Sequence, residues 1–314
     1  IGRSKKGESL LKKSSGILCE GNRLEAYHFI CKYKKIFGLI WLLRRLNISK
    51  NAYYNFLKNR KNDYLKLKDS FLKRIESLYH KLKGVYGYRY IKKFLEAENI
   101  FLSYATVHKY LNIELGLKAI VRRPKYRSST SNSDGNCFPD LLKRHFRADN
   151  INNKWCTDFT YLTLANGEKH YNCTIIDLFD RSVVASITDK NITSELAIRT
   201  LQSALKSKEI DKGSLILHSD QGSQFTSCNF SLFCKKNGIV QSMSRKGNPW
   251  DNAPMERYFN TLKQELIYLK NYKSKMDLYT DIEDFSYVWY NRKRPHTFNG
   301  FITPYQARFN FFGS

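Results

Sequence analysis

Residues 154–164 read KWCTDFTYLTL, and residues 170–177 read HYNCTIID. Both are short runs rich in β-branched and aromatic side chains. Asn166-Gly167 lies between them, the dipeptide favoured where a tight hairpin needs left-handed backbone. The pair predicts two antiparallel strands. Alternation along the first puts Cys156, Asp158 and Thr160 on one face and Trp155, Thr157, Phe159 and Tyr161 on the other. Asp158 thus falls inside a strand, where a carboxylate is costly unless it is paired or binds a metal ion.

Downstream, residues 181–188 (RSVVASIT) supply a third strand, and residues 194–207 an amphipathic helix with Leu196, Ala197, Thr200, Leu201 and Leu205 inward. Residues 214–218 read as a short buried strand, 230–236 as a helix and 239–243 as a last strand. Three antiparallel strands, then helix and strand, predict an α/β layered core. Asp220 follows LILH-Ser219, so it caps the C-terminal end of a central strand, where such sheets gather ligands. His218 beside it suits either that site or the core. A long helix is expected from Pro249 to about Tyr268, with Asn248 as cap, Pro249 in first position and Asp251 in the electropositive first turn. Glu256 then falls two turns in. Asn252, Glu256, Asn260 and Lys263 share one face, and Met255, Tyr258, Phe259, Leu262 and Leu266 form the packing flank. A further helix covers 275–291.

Upstream the pattern is helical. Residues 35–46 carry apolar groups at helical spacing, Asn47-Ile48 makes a turn, and Ser49 caps a helix over 50–58. A related pattern fills 65–117: a helix stopped at Gly84, a second from Tyr88 closed by Asn99, and a third capped by Ser103. The chain has a net charge of +26, and residues 1–150 hold 33 Lys and Arg against 12 Asp and Glu. Residues 151–314 hold 21 against 16. Helix pairs in so basic a segment suit DNA. Residues 121–137 (VRRPKYRSSTSNSDGNC) read as a basic linker, with Arg122, Arg123 and Lys125 able to track phosphates. Arg292, Lys293 and Arg294, after Trp289-Tyr290, form a second basic patch. The expected divisions are 1–62, 63–120, 121–150, 151–273 and 274–314.

A membrane protein is disfavoured: the apolar run 36–43 is eight residues, far short of the ~20 that span a bilayer. No secretory signal opens the chain. Its seven cysteines form no C-x-x-C pair, which suits free thiols in a reducing cytosol. A zinc site from Cys19, Cys31 and His28 lacks the usual paired spacing.

WCTDFTYL, LHSDQGSQF and NPWDNAPMERYFNTLKQE resemble, in order, the three acidic motifs of the retroviral-integrase-like core in bacterial insertion-sequence transposases of family three, in the product of their second reading frame. Thirty-five residues separate Asp220 from Glu256, the spacing that group favours. YGYRYIKKFL, PDLLKRHFRADNINNKW and YNRKRPHTFNGFITPYQARF extend the resemblance over about 35–310. Trp250 and Pro254 depart from the pattern, and neither removes a ligand. The resemblance implies a ribonuclease-H-like α/β fold, a mixed five-stranded sheet flanked by helices, behind an all-α helix–turn–helix region. It implies a DDE transposase in which Asp158 bridges two Mg²⁺ or Mn²⁺ ions, Asp220 completes one site and Glu256 the other. Crowded carboxylates repel, so metal should be needed to order Glu256. Lys263, Asn252 and Gln224 are expected to meet DNA, with Gly222 letting the 221–226 loop pass close, and Arg292 and Arg294 to meet phosphates. Terminal inverted repeats and target DNA are the implied substrates, joined through a circular intermediate. Assembly is as at least a dimer, helped by a first-reading-frame protein or fused segment. A ribonuclease-H-like nuclease without joining activity and a DNA-binding regulator with an inactive core are the alternatives.

Overall fold

The computed structural model describes residues 23–120, 137–206 and 214–312. Arg122, Arg123, Lys125, most of the basic linker, and Cys19 lie outside the described residues. The chain divides into two compact units, one of residues up to 81 with 108–117, the other of 82–107 with 118–314.

The first unit is helical: α1 (Arg23–Phe37), α2 (Leu39–Arg45), α3 (Lys50–Leu57) and α4 (Arg60–Lys81). The helix expected over 35–46 is broken at Gly38, whose φ of 76° no helix accommodates; apolar spacing runs on across the break, so periodicity alone hid it. Ser49 caps α3 by accepting the Ala52 N–H at 3.2 Å, and Asn47 turns the chain at φ 49°. Ala26, Ile30, Leu42, Leu43, Leu46 and Tyr53 form the core of this helix–turn–helix. Lys109–Glu114 forms a wide π-type turn tied to α4 by Lys68–Glu114 at 2.5 Å.

The second unit begins with α5 (Tyr88–Ala97) and α6 (Tyr104–His108), with Asn99 at φ 61° between them and the Ser103 hydroxyl accepting the Thr106 N–H. The sheet follows: β1 (Lys154–Thr163), β2 (Lys169–Asp177), β3 (Val183–Asp189), β4 (Ile216–Ser219) and β5 (Val240–Met243), in the order β3-β2-β1-β4-β5. The first three strands are antiparallel, and β1, β4 and β5 run parallel. Parallel neighbours need long crossovers, and α7 (Ser194–Lys206), α8 (Ser223–Thr226) and α9 (Cys228–Lys236) supply them. Gly167, at φ 86°, closes the β1–β2 hairpin.

Because β1 alternates, the sheet has two cores. Trp155 packs with Ala197, Leu201, Phe225 and Phe230 on one face. Cys156 packs with Met255, Tyr258, Phe259 and Leu262 on the other. Those last four line α10 (Ala253–Glu265), and each such side chain contributes about 1.5–3 kcal/mol on burial. The expected single helix from Pro249 is instead a 3₁₀ turn over Pro249–Asn252 followed by α10. Pro254 lacks the N–H and fixes φ for a first helical turn, so the α-helix starts around it. Asn248 makes no side-chain cap, and Glu256 sits in the first turn of α10. The helix expected over 275–291 is α11 (Lys275–Glu283) continued by a π-helix, Asp284–Lys293; α12 (Pro304–Phe312) ends the described chain.

Candidate active site

The β1–β4 register pairs Lys154 with Ile216, Trp155 with Leu217 and Cys156 with His218. Carried two residues further, it brings Asp158 abreast of Asp220 at the C-terminal end of β4. The Asp158 carboxyl rises well above its usual range, first through burial and then through the Asp220 charge. Its own-neighbour Phe159 N–H, donating at 2.7 Å, opposes that shift. Glu256 adds to it, and Lys263 works against it. Asp158 therefore senses two carboxylates and one ammonium as near charges. Burial also raises Asp220, against the Gly222 N–H donated to its Oδ1 at 3.0 Å. Burial raises Glu256, and it lowers the Lys263 ammonium while Asp158 supports the charge. Among the described residues, no three His, Cys, Asp or Glu side chains close on a common point as metal ligands.

A second network fixes the turn ahead of Glu256. The Asp251 side chain is fully buried and sits between two arginines. Arg144 Nε donates to its Oδ1 at 2.7 Å, and Arg245 Nε to its Oδ2 at 2.8 Å. The Arg245 guanidinium adds Nη2–Oδ1 at 3.2 Å. These donors hold the Asp251 carboxyl well below the usual range, against burial. Asp251 is thus an anchor for arginines, beyond its place in an electropositive turn. Next to it, Asn252 is 4% exposed and its amide donates to the Thr157 carbonyl at 3.2 Å, one residue before Asp158. Among the described residues, its Oδ1 is buried without a hydrogen-bond partner. His218 is a core residue: Nδ1 meets the Ser242 hydroxyl at 2.9 Å, while Nε2 meets the Ser244 hydroxyl and the Asp251 carbonyl. Burial lowers its pKa. Ser244 N–H donates to the Ser219 carbonyl, beside Asp220. The three acid-bearing elements are in this way tied by hydrogen bonds one residue from Asp158, one residue from Asp220 and four residues from Glu256.

The other expected site residues separate. Lys263 lies on α10, half-buried on the side that faces Asp158 electrostatically. Gln224 lies in α8 beside Gly222, where a Cβ would stand 2.9 Å from Asp220 Oδ1 and 3.0 Å from Gln224 Oε1. Arg292 is exposed and its guanidinium lies over Tyr305. Two of the expected DNA-contact residues have protein partners in the interior. Asn252 faces the interior and bonds β1, because the 3₁₀ turn rotates it off the Glu256–Lys263 face. Arg294 is nearly buried and paired with Glu265, Nη2 to Oε1 at 2.9 Å; its ring neighbours Tyr90 and Tyr290 exclude water from the pair. Arg144, Arg245, Tyr86 and Glu265 went unmarked in the sequence: Arg144 meets Asp251 across 107 positions and Tyr86 meets Glu265 across 179, so no local pattern carries either.

Models described as integrase core domain match residues 148–249 and 237–304. A putative transposase, InsK, for the insertion sequence element IS150 of Escherichia coli (strain K12) is 32% identical over 277 residues, covering 88% of this chain and 95% of that protein. The transposase for the insertion sequence element IS904 of Lactococcus lactis is 33% identical over 224 residues, 71% of this chain and 87% of that one. The chain belongs to the insertion-sequence transposases that carry an integrase-type core. Among solved structures, the catalytic core domain of BIV integrase is similar at 21% identity and a TM-score of 0.40, over 52% of this chain and 97% of that one.

Proposed function

We propose that the chain is a DDE transposase that cuts DNA at the ends of an insertion sequence and joins them to a target, with Asp158, Asp220 and Glu256 as its metal-binding acids. One observation carries this reading: Asp158 stands abreast of Asp220 at a strand end and shares its electrostatic environment with Glu256 and Lys263. The donor set suits Mg²⁺ or Mn²⁺, hard ions that take carboxylate oxygens. The buried, unpartnered Asn252 Oδ1 adds a polar atom beside β1. When bound, such ions supply Lewis-acid stabilisation of charge developing on phosphodiester oxygens.

The chain's own residues do the rest. Phe159 N–H and Gly222 N–H hold the Asp158 and Asp220 carboxylates in one orientation. Lys263 offers a positive charge to a DNA phosphate near Asp158, while Gln224 and Arg292 extend the contact surface. His218, bonded through both ring nitrogens, is committed to the fold and is not the proton carrier. Double-stranded DNA is the substrate, met at the nucleoid in the cytoplasm, with a second copy of the chain on the paired end and an upstream first-frame segment assisting. Among the described residues, no helix is long and apolar enough to cross a membrane.

The test is an oligonucleotide assay with Mg²⁺ and labelled element ends. Nicked and joined products should form with the native chain and vanish in Asp158→Asn, Asp220→Asn and Glu256→Gln, with DNA binding retained. Cutting without joining would select a nuclease instead, and full activity in the variants would refute the site.

A further inference from the structure

The Asp251 anchor leaves two arginines arranged in a particular way. Their inner edges are spent on a carboxylate with no exposure, yet Arg144 is 48% exposed and Arg245 58%. Among the described residues, Arg144 uses only Nε, and Arg245 uses Nε and Nη2; Nη1 and Nη2 of the first and Nη1 of the second have no protein partner. A mobile surface arginine loses side-chain entropy on gripping a ligand, of order 0.5–1.5 kcal/mol. These two have already lost it, because one buried anion fixes both forks. Backbone geometry supports the same placement: Arg144 sits at φ 65° after Lys143 at φ 47°, and the Leu141 N–H is held by the Ser242 hydroxyl. Lys143 and Lys246 are exposed beside them. Asp140 lies within electrostatic reach of Arg245, and its Oδ1 accepts the Lys143 N–H.

The position matters as much as the chemistry. Arg245 follows Ser244, which bonds Ser219 next to Asp220. Asp251 precedes Asn252, which bonds Thr157 next to Asp158. Through these neighbours the pinned arginines are tied to the residues that directly precede Asp220 and Asp158. Planar forks of this kind match phosphate oxygens in a bidentate manner.

We propose that Arg144 and Arg245, pinned by Asp251, form a seat for a backbone phosphate of DNA. The seat rests on the DNA-processing reading above, and it concerns grip and position, not the cutting itself.

Binding of a blunt duplex oligonucleotide of arbitrary sequence, measured by fluorescence anisotropy over a range of salt, tests it. Removing one phosphate-neutralising charge should reduce the slope of log K against log salt by about 0.9. Arg144→Gln and Arg245→Gln should each lower the affinity, and together they should flatten the slope by roughly one to two. Arg144→Lys and Arg245→Lys should keep the slope but weaken binding, since the charge remains and the fork is gone. Unchanged slopes in folded glutamine variants would overturn the seat. If glutamine at either position unfolds the chain, phenylglyoxal modification of the native chain decides: DNA should protect both arginines, and absence of protection refutes the proposal. Metal-dependent cleavage of an element end by the native chain is read alongside. Its absence, with salt-dependent binding and protection intact, would sink the catalytic reading and leave the seat standing.

Discussion

Glu265 ends α10, nine residues after Glu256, and its replacement by Met should unfold the second unit far more easily than surface changes do. Its carboxylate accepts Arg294 Nε at 3.0 Å through both oxygens, Arg294 Nη2 at 2.9 Å, Trp289 Nε1 at 3.3 Å and the Tyr86 hydroxyl. Glu265 is 8% exposed and Arg294 11%, so solvent screens the pair little. Burial works against the Arg294 charge, but the Glu265 carboxylate outweighs it and holds the guanidinium firmly protonated. Removing one member of such a pair leaves a buried charge uncompensated, at about 3–5 kcal/mol, and it also strands the Tyr86 and Trp289 donors. A loss of about 4 kcal/mol corresponds to roughly 8–16 °C in Tm for a unit of this size. Urea denaturation followed at tryptophan emission measures it. Arg294→Met alone should cost a similar amount. The double variant should recover at least about 2 kcal/mol of the summed losses, because two apolar groups can fill the space of a buried pair. A single-variant loss below about 1 kcal/mol, or strict additivity in the double, would refute this account.

Chelation by EDTA should abolish nicking and joining, and Mg²⁺ should restore both; cleavage that survives exhaustive chelation would remove the metal from the proposal. Gly222→Ala should spare stability to within about 1 kcal/mol, since its Cβ meets only movable side-chain ends. It should nevertheless slow cleavage by about tenfold or more, because Asp220 must leave the Gly222 N–H; unaltered single-turnover rates would contradict this. His296 is pushed down to about 3 by burial and then by Arg294, Arg181 and Arg257. A depressed folded-state value means the stability it contributes is present above the unfolded value of about 6.5 and is lost as pH falls toward 3. Asparagine there keeps an acceptor for the Phe298 N–H, so His296→Asn should flatten the acid limb of urea midpoints measured between about pH 4 and 7; an unchanged limb would count against it.

Strands and most helices were legible because each element buries one face, and burial writes a period into the sequence. All five strands lie where alternation and turn residues put them, and Met255, Tyr258, Phe259 and Leu262 do form the packing side of α10, with Leu266 buried just past its end. Two kinds of information were not local. The break at Gly38 and the 3₁₀ turn at Pro249–Asn252 depend on backbone angles that apolar spacing does not encode. Arg294 and Asn252 carry side chains that look suited to DNA, yet their partners, Glu265 and Thr157, are brought to them only by tertiary packing. The acids were easier, since a carboxylate inside a strand and another at a strand end already ask for a partner.

The division of the chain carries a practical consequence. Residues 82–107 group with the sheet although the segments on either side of them group with the first unit, so the backbone passes between units three times. Tyr86 and Tyr90 from that excursion cover Trp289 and Arg294. A fragment begun at the first strand would strip this cover and wet the ion pair beneath it. The helical unit and the sheet-bearing unit are interleaved in sequence, not strung in series. Swapping the helical segments between related elements as ready-made cassettes should fail unless the crossings near 82, 108 and 118 are moved together.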